Sequence, residues 1–149
     1  MTTSTDTCPE HVARVIAFFE TLTPQTLDQL PQVYAADARF KDPFNDVHGL
    51  PAVHAILAHM FVALRQPRFV ITRHIAQGAD CFLTWDFYFF MDRLRGGTEQ
   101  KIAGATHLLF DAAGLIELHR DYWDAAEELY EKLPVVGSLM RWLKRRANS

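Results

Sequence analysis

Cysteine is scarce in this sequence. Cys8 and Cys81 stand alone, with no Cys-x-x-Cys pair, which argues against a disulfide framework or a thiolate metal site and makes a reducing, cytoplasmic setting the default. Long apolar runs are missing too. None reaches the roughly 18 residues that a membrane span needs. The polar stretch Met1 to Thr7, with Asp6 in it, lacks the basic-then-apolar pattern of a secretory signal. Charge of one sign does not dominate either. The net charge is −3, so nucleic-acid binding is not expected of the domain as a whole. Basic residues gather only late, at Lys132, Arg141, Lys144, Arg145 and Arg146, with no acid after Lys132. No repeat, low-complexity tract or linker divides the 149 residues. The expectation is one domain over 1–149, with 134–149 a basic amphipathic extension.

What is present is a 49% apolar chain with clear periodicities. Thr7-Cys8-Pro9-Glu10 fits a capping box, and Val12, Val15, Ile16, Phe19 and Leu22 follow at helical spacing. Thr23-Pro24 restarts the chain for a short second helix carrying Leu27 and Leu30, disturbed at Pro31 and ending near Tyr34. Ala38 to Lys41 reads as a brief strand. Gly49 and Pro51 open a third helix with a broad apolar stripe, from Val53 and Ile56 to Phe61 and Leu64. After Pro67 the period becomes two. Strands are expected over Phe69 to Gln77, Cys81 to Met91, Gln100 to Phe110 and Leu115 to Trp123, joined by short turns that favour an antiparallel meander. Asp124 to Lys132 reads as a helix, and Ser138 can cap a last short one. The fold class is α+β: a curved antiparallel sheet with helices on one face, enclosing a pocket.

Two segments carry a family resemblance. Tyr34-Ala35-Ala36-Asp37-Ala38-Arg39-Phe40-Lys41-Asp42-Pro43 resembles a stretch of ketosteroid isomerases and SnoaL-like polyketide cyclases. Gly114-Leu115-Ile116, with His119-Arg120-Asp121-Tyr122-Trp123-Asp124, is similar to their last strand, and closer still to that of limonene-epoxide-hydrolase-like proteins. With the element order, the resemblance spans Val12 to Leu133 and implies the nuclear transport factor 2-like fold, a cone-shaped roll. That fold hosts several chemistries, so function rests on the site.

The resemblance assigns roles unevenly. Asp42 matches the isomerase's general base. The isomerase's oxyanion tyrosine falls on Phe18, which has no donor, and its oxyanion aspartate falls on Thr106, a weaker one. Ketosteroid isomerisation is therefore not expected. Asp121 matches an aspartate of the epoxide hydrolase, but its arginine-bearing strand aligns with Asp86 and Tyr88, leaving the arginine missing. A cyclase-like site asks only for an acid/base carboxylate in an apolar cavity.

Strand alternation puts His119, Asp121 and Trp123 on one face, and Thr84, Asp86 and Tyr88 on one face of their own strand. The expected catalytic residues are Asp121, Asp42 and His119. The expected pocket lining is Phe18, Asp86, Tyr88, Thr106 and Trp123. Competing readings make Asp42 ordinary Asp-Pro turn chemistry and Asp86 the partner of a base on the next strand. His54 and His59, five apart on a helix, do not have metal-ligand spacing, and no metal or cofactor is called for.

The expected function is cofactor-independent proton transfer on a small hydrophobic carbonyl or hydroxyl compound by an isomerase, cyclase or dehydratase. The alternatives are a non-catalytic binder of a hydrophobic ligand and an interaction module. Trp85, Phe87 and Phe89, on the face opposite Asp86, predict a homodimer through the sheet. In the tail, Leu139, Met140, Trp142 and Leu143 alternate with Arg141, Lys144, Arg145 and Arg146. A packed lid is preferred there to an anchor on anionic membrane.

Overall fold

The structure is a computed structural model, and it describes residues 8–91, 97–128, 142 and 145–147. The first helix, α1 (Glu10–Glu20), starts with Pro9 as its N-cap and no side-chain cap. Thr7, the expected capping residue, lies outside the described residues. Val12, Val15, Phe18 and Phe19 form its buried face. The second helical segment, Gln25–Gln32, is 3-10 and not α. Pro31 within it lacks the N–H that an α-helical ladder would use. The chain then enters β1 (Tyr34–Lys41), longer than the expected strand, and a short β2 (Asp46–His48) that the periodicity did not reveal. Helix α2 (Leu50–Ala63) has a proline in its first turn, where the missing N–H costs nothing.

Four long strands follow: β3 (Arg65–Gln77), β4 (Asp80–Phe90), β5 (Gln100–Phe110) and β6 (Ile116–Tyr122). They pair antiparallel in sequence order, as the short turns between them dictate. Gly114, at φ +77, closes the last turn, where Asp111 accepts from the Ala113 and Leu115 backbone N–H groups. The sheet is not a pure meander. Its order is β2-β1-β6-β5-β4-β3, and β1 runs parallel to β6, with Phe40 opposite His119. The first strand is thereby inserted beside the last. Register breaks in β3, between β5 and β6, and in β1 curve this six-stranded, unclosed sheet around α1 and α2.

A short helix, α3 (Ala125–Glu128), follows β6, with Asp124 accepting from the N–H groups of Ala126 and Glu127. The rest of the helix expected to Lys132 lies outside the described residues, as does most of the basic extension. Of the extension, Arg146 is seen over the Trp142 ring at 5.2 Å. No helix among the described residues is long and apolar enough to cross a membrane.

The core lies between the concave sheet face and the helices. On β4, Cys81, Leu83, Trp85, Phe87 and Phe89 point into it, all buried. This inverts the expected assignment. The face bearing Thr84, Asp86 and Tyr88 is the outer one, because five alternate inward positions with no polar group beyond a thiol and an indole N–H gain most from leaving water. The warrant for a dimer through Trp85, Phe87 and Phe89 falls with that assignment.

Candidate functional site

A cavity of about 490 Å³ lies between α2 and the concave face of the sheet. Most of its wall is apolar: Phe19 from α1, Phe40 from β1, Met60 and Leu64 near the end of α2, Phe69 from β3, and Trp85, Phe87 and Phe89 from β4. Polar groups cluster where β5 and β6 meet β1. Thr106 and Asp121 are register partners on adjacent strands, and His119 is two residues before Asp121 on the same face.

These groups form one hydrogen-bonded chain. The Trp85 indole N–H donates to Thr106 Oγ1 at 2.7 Å, so the threonine's only proton goes to Asp121 Oδ1 at 2.6 Å. His119 Nε2 meets the same Oδ1 at 2.6 Å, and Tyr34 Oη meets His119 Nδ1 at 2.7 Å. Burial, and then the Asp121 charge, hold the Tyr34 hydroxyl well above its ordinary pKa, so it stays protonated and donates. With the hydroxyl donating to Nδ1, the matching tautomer has its N–H on Nε2, donating to Asp121 Oδ1. Every donor in the chain points toward Asp121. Oδ1 is saturated, whereas Oδ2 accepts no hydrogen bond among the described residues.

The chain depends on a glycine. The six-membered ring of Trp85 lies over Gly104, its cross-strand partner; a Cβ there would sit 2.4 Å from the ring. Gly104 lets the indole lie along β5 and reach Thr106. The imidazole of His119 is fixed in turn by rings, with Phe40 at 4.5 Å, Phe19 at 5.6 Å and Tyr34 stacked at 5.9 Å.

The expected residues sort clearly. Asp121, His119, Thr106 and Trp123 all line the cavity, and Trp123 meets Phe44 edge to face. Both ring nitrogens of His119 are engaged, Nδ1 by Tyr34 and Nε2 by Asp121. Asp42 lines the cavity too, but its Oδ1 holds the turn, accepting from the N–H groups of Phe44 and Asn45 and from Asn45 Nδ2 at 2.7–3.0 Å. Phe18 is not on the wall. One step along a helix turns the side chain by about 100°, and Phe19 takes the wall position while Phe18 packs edge-on against it at 5.3 Å. Asp86 and Tyr88 are not pocket residues either. Asp86 pairs with Lys101 on the next strand at 3.6 Å, and Tyr88 lies under the Arg68 guanidinium at 4.1 Å.

Tyr34, Trp85, Asn45 and His59 were not anticipated as site residues. A signal existed for Tyr34: a tyrosine at an inward strand position must find its hydroxyl a partner. Among the described residues, no group of three or more His, Cys, Asp or Glu side chains is arranged to hold a metal.

Fold and site together define an α+β roll around a largely apolar cavity with a carboxylate at its polar end. A family model for the SnoaL-like domain matches residues 15–119, and the chain belongs to that family. No curated protein matches it in sequence. Among solved structures it is similar to a protein with a ketosteroid isomerase-like fold from Catenulispora acidiphila, crystallised with trimethylamine. The two are 21% identical, with 86% of this chain and 96% of that one covered and a TM-score of 0.70. A nuclear transport factor 2-like protein of unknown function from Burkholderia pseudomallei is 17% identical, covering 80% and 95%, with a TM-score of 0.69. An LEH-like epoxide hydrolase from M. tuberculosis is 20% identical, covering 83% and 88%, with a TM-score of 0.66. At these identities the likeness shows the fold.

Proposed function

We propose that the protein is a cofactor-independent acid/base enzyme, in which Asp121 moves a proton on a small hydrophobic carbonyl or hydroxyl compound. An isomerase, cyclase or dehydratase reaction fits this reading. The observation that carries it is the asymmetry of the Asp121 carboxylate. Thr106 and His119 fix Oδ1, so the plane and charge of the group are preorganised, and Oδ2 is left to exchange a proton with a compound in the cavity. His119 and Tyr34 act as positioning residues, and Asp42 is a rim carboxylate held by its own turn.

Turnover measured across a panel of enones, epoxides and polyketide-like aromatics tests the reading. Asp121→Asn is expected to lower turnover by about 10²-fold or more while a hydrophobic probe still binds. Normal turnover in that variant would overturn the assignment. A second reading, a non-catalytic binder, is favoured by the apolar wall and by the engagement of Asp42 in its turn. It takes precedence if no panel member turns over in the wild type.

With Trp85, Phe87 and Phe89 facing inward, a homodimer through the sheet would have to use its outer face. Ile75, Phe82 and Tyr122 are exposed on the outer sheet face, and Phe82 stacks on His107. We propose that the homodimer forms there. Sedimentation equilibrium at micromolar concentration tests it, and a Phe82→Glu variant that sediments like the wild type would overturn it.

A further inference from the structure

The polar lining of the cavity is one-sided in charge. Its described side chains include two carboxylates, Asp42 and Asp121, and no lysine or arginine. Among the described residues the one basic side chain bonded to Asp121 is His119, and the far nitrogen of that ring is held by Tyr34. Asp42 is served by the backbone N–H groups of Phe44 and Asn45 and by the Asn45 amide, all neutral donors. A carboxylate oxygen facing an apolar cavity is costly without a compensating cation or donor.

An oxyanion would be poorly received in the same cavity. The Thr106 hydroxyl, the Trp85 indole and the Asn45 amide are already engaged. Only His59 and Trp123 remain as described lining side chains whose N–H groups make no hydrogen bond. The walls, by contrast, are rich in rings, among them Phe19, Phe40, Phe44, Phe69 and Trp85. Ring faces attract a cation within about 6 Å.

We propose that the compound taken by this cavity carries a protonated or quaternary nitrogen on a hydrophobic body. The body lies against the rings, and the nitrogen is held at the polar end by the negative charge of Asp42 and Asp121, in contact with Asp42, so that Asp121 Oδ2 stays free for the proton. This rests on the cavity being the acid/base site proposed above and names its substrate class, an amine that also bears the reacting carbonyl or hydroxyl group.

The test is binding to the full chain at neutral pH, by calorimetry and by quenching of tryptophan fluorescence. Three probes of similar shape are compared: protonated N,N-dimethylbenzylamine, its neutral isostere isobutylbenzene, and phenylacetate. The amine is expected to bind about tenfold tighter than isobutylbenzene, and phenylacetate more weakly than either. Asp42→Asn and Asp121→Asn, tested separately with their melting temperatures recorded, are each expected to reduce amine binding and to leave isobutylbenzene binding unchanged. Isobutylbenzene or phenylacetate binding as tightly as the amine would overturn the proposal. So would an amine preference that persists in both variants. Either outcome leaves the acid/base reading standing, because turnover tests that separately. Failure of all three probes to bind the wild type also overturns this proposal, and turnover across the panel still decides the acid/base reading.

Discussion

The two faces of β4 are built on different rules. Inward, Cys81, Leu83, Trp85, Phe87 and Phe89 are buried and make wall and core, touching the chemistry only through one indole N–H. Outward, Phe82, Thr84, Asp86, Tyr88 and Phe90 are held by lateral partners. Thr84 bonds Thr72, Asp86 pairs with Lys101, and Arg68 and Arg65 lie over Tyr88 and Phe90. Polarity along this strand therefore marks solvent and not the pocket. The polar end of the cavity is supplied by β5 and β6, and β4 gives shape.

Substitutions on the two faces should differ accordingly. Trp85→Ala removes a buried ring and the donor that orients Thr106. A loss of about 3–5 kcal/mol is expected in urea unfolding, and a loss under 1 kcal/mol would show that the inner face is not a packed wall. Gly104→Ala forces a methyl group into that same ring. It should cost about 1–3 kcal/mol and shift tryptophan emission to the red, and Trp85→Phe in the same chain should recover part of the loss. Strict additivity of the two changes would break the link.

The inner face also predicts a pH effect of fixed sign. Burial pushes the Cys81 thiol up to about 11 and raises Tyr34 above its ordinary 10.0. The unfolded chain releases those protons before the folded one does. Stability should therefore be intact below about pH 9 and fall as pH rises through the ionisation of the unfolded thiol and then the unfolded phenol. Tyr34 should ionise only on unfolding in an ultraviolet titration, and its ionisation in the folded protein would contradict its burial. The smallest effect belongs to the outer face. Asp86→Ala removes a long pair on the solvent side of the sheet and should change stability by roughly 0.5 kcal/mol or less; a larger loss would make that face structural as well.

Much of the architecture was legible because periodicity reports burial directly. Strands β3 to β6 and helices α1 and α2 carry their apolar residues at periods of 2 and 3.6, and their turns are marked by glycine. The parallel β1–β6 pair was not legible, since no local signal says which distant strand a segment joins. Within the site, Asp121, His119 and Trp123 could be grouped because alternation along one strand fixes their shared face. Phe18 and the Asp86–Tyr88 face were misassigned because a resemblance was allowed to set the register. The apolar run at Cys81, Leu83, Trp85, Phe87 and Phe89 already contained the better answer. Tyr34 escaped because its hydroxyl's partner lies 85 residues away.

That separation has a consequence for how the site comes into being. Closing a loop of that length costs about 4 kcal/mol of chain entropy. The contact joins β1 to β6, the first and last strands among the described residues. A nascent chain that has folded its α1 and β3–β4 regions still has no oriented carboxylate. Recognition can begin only when β6 docks beside β1, so the polar end of the pocket is a late product of folding.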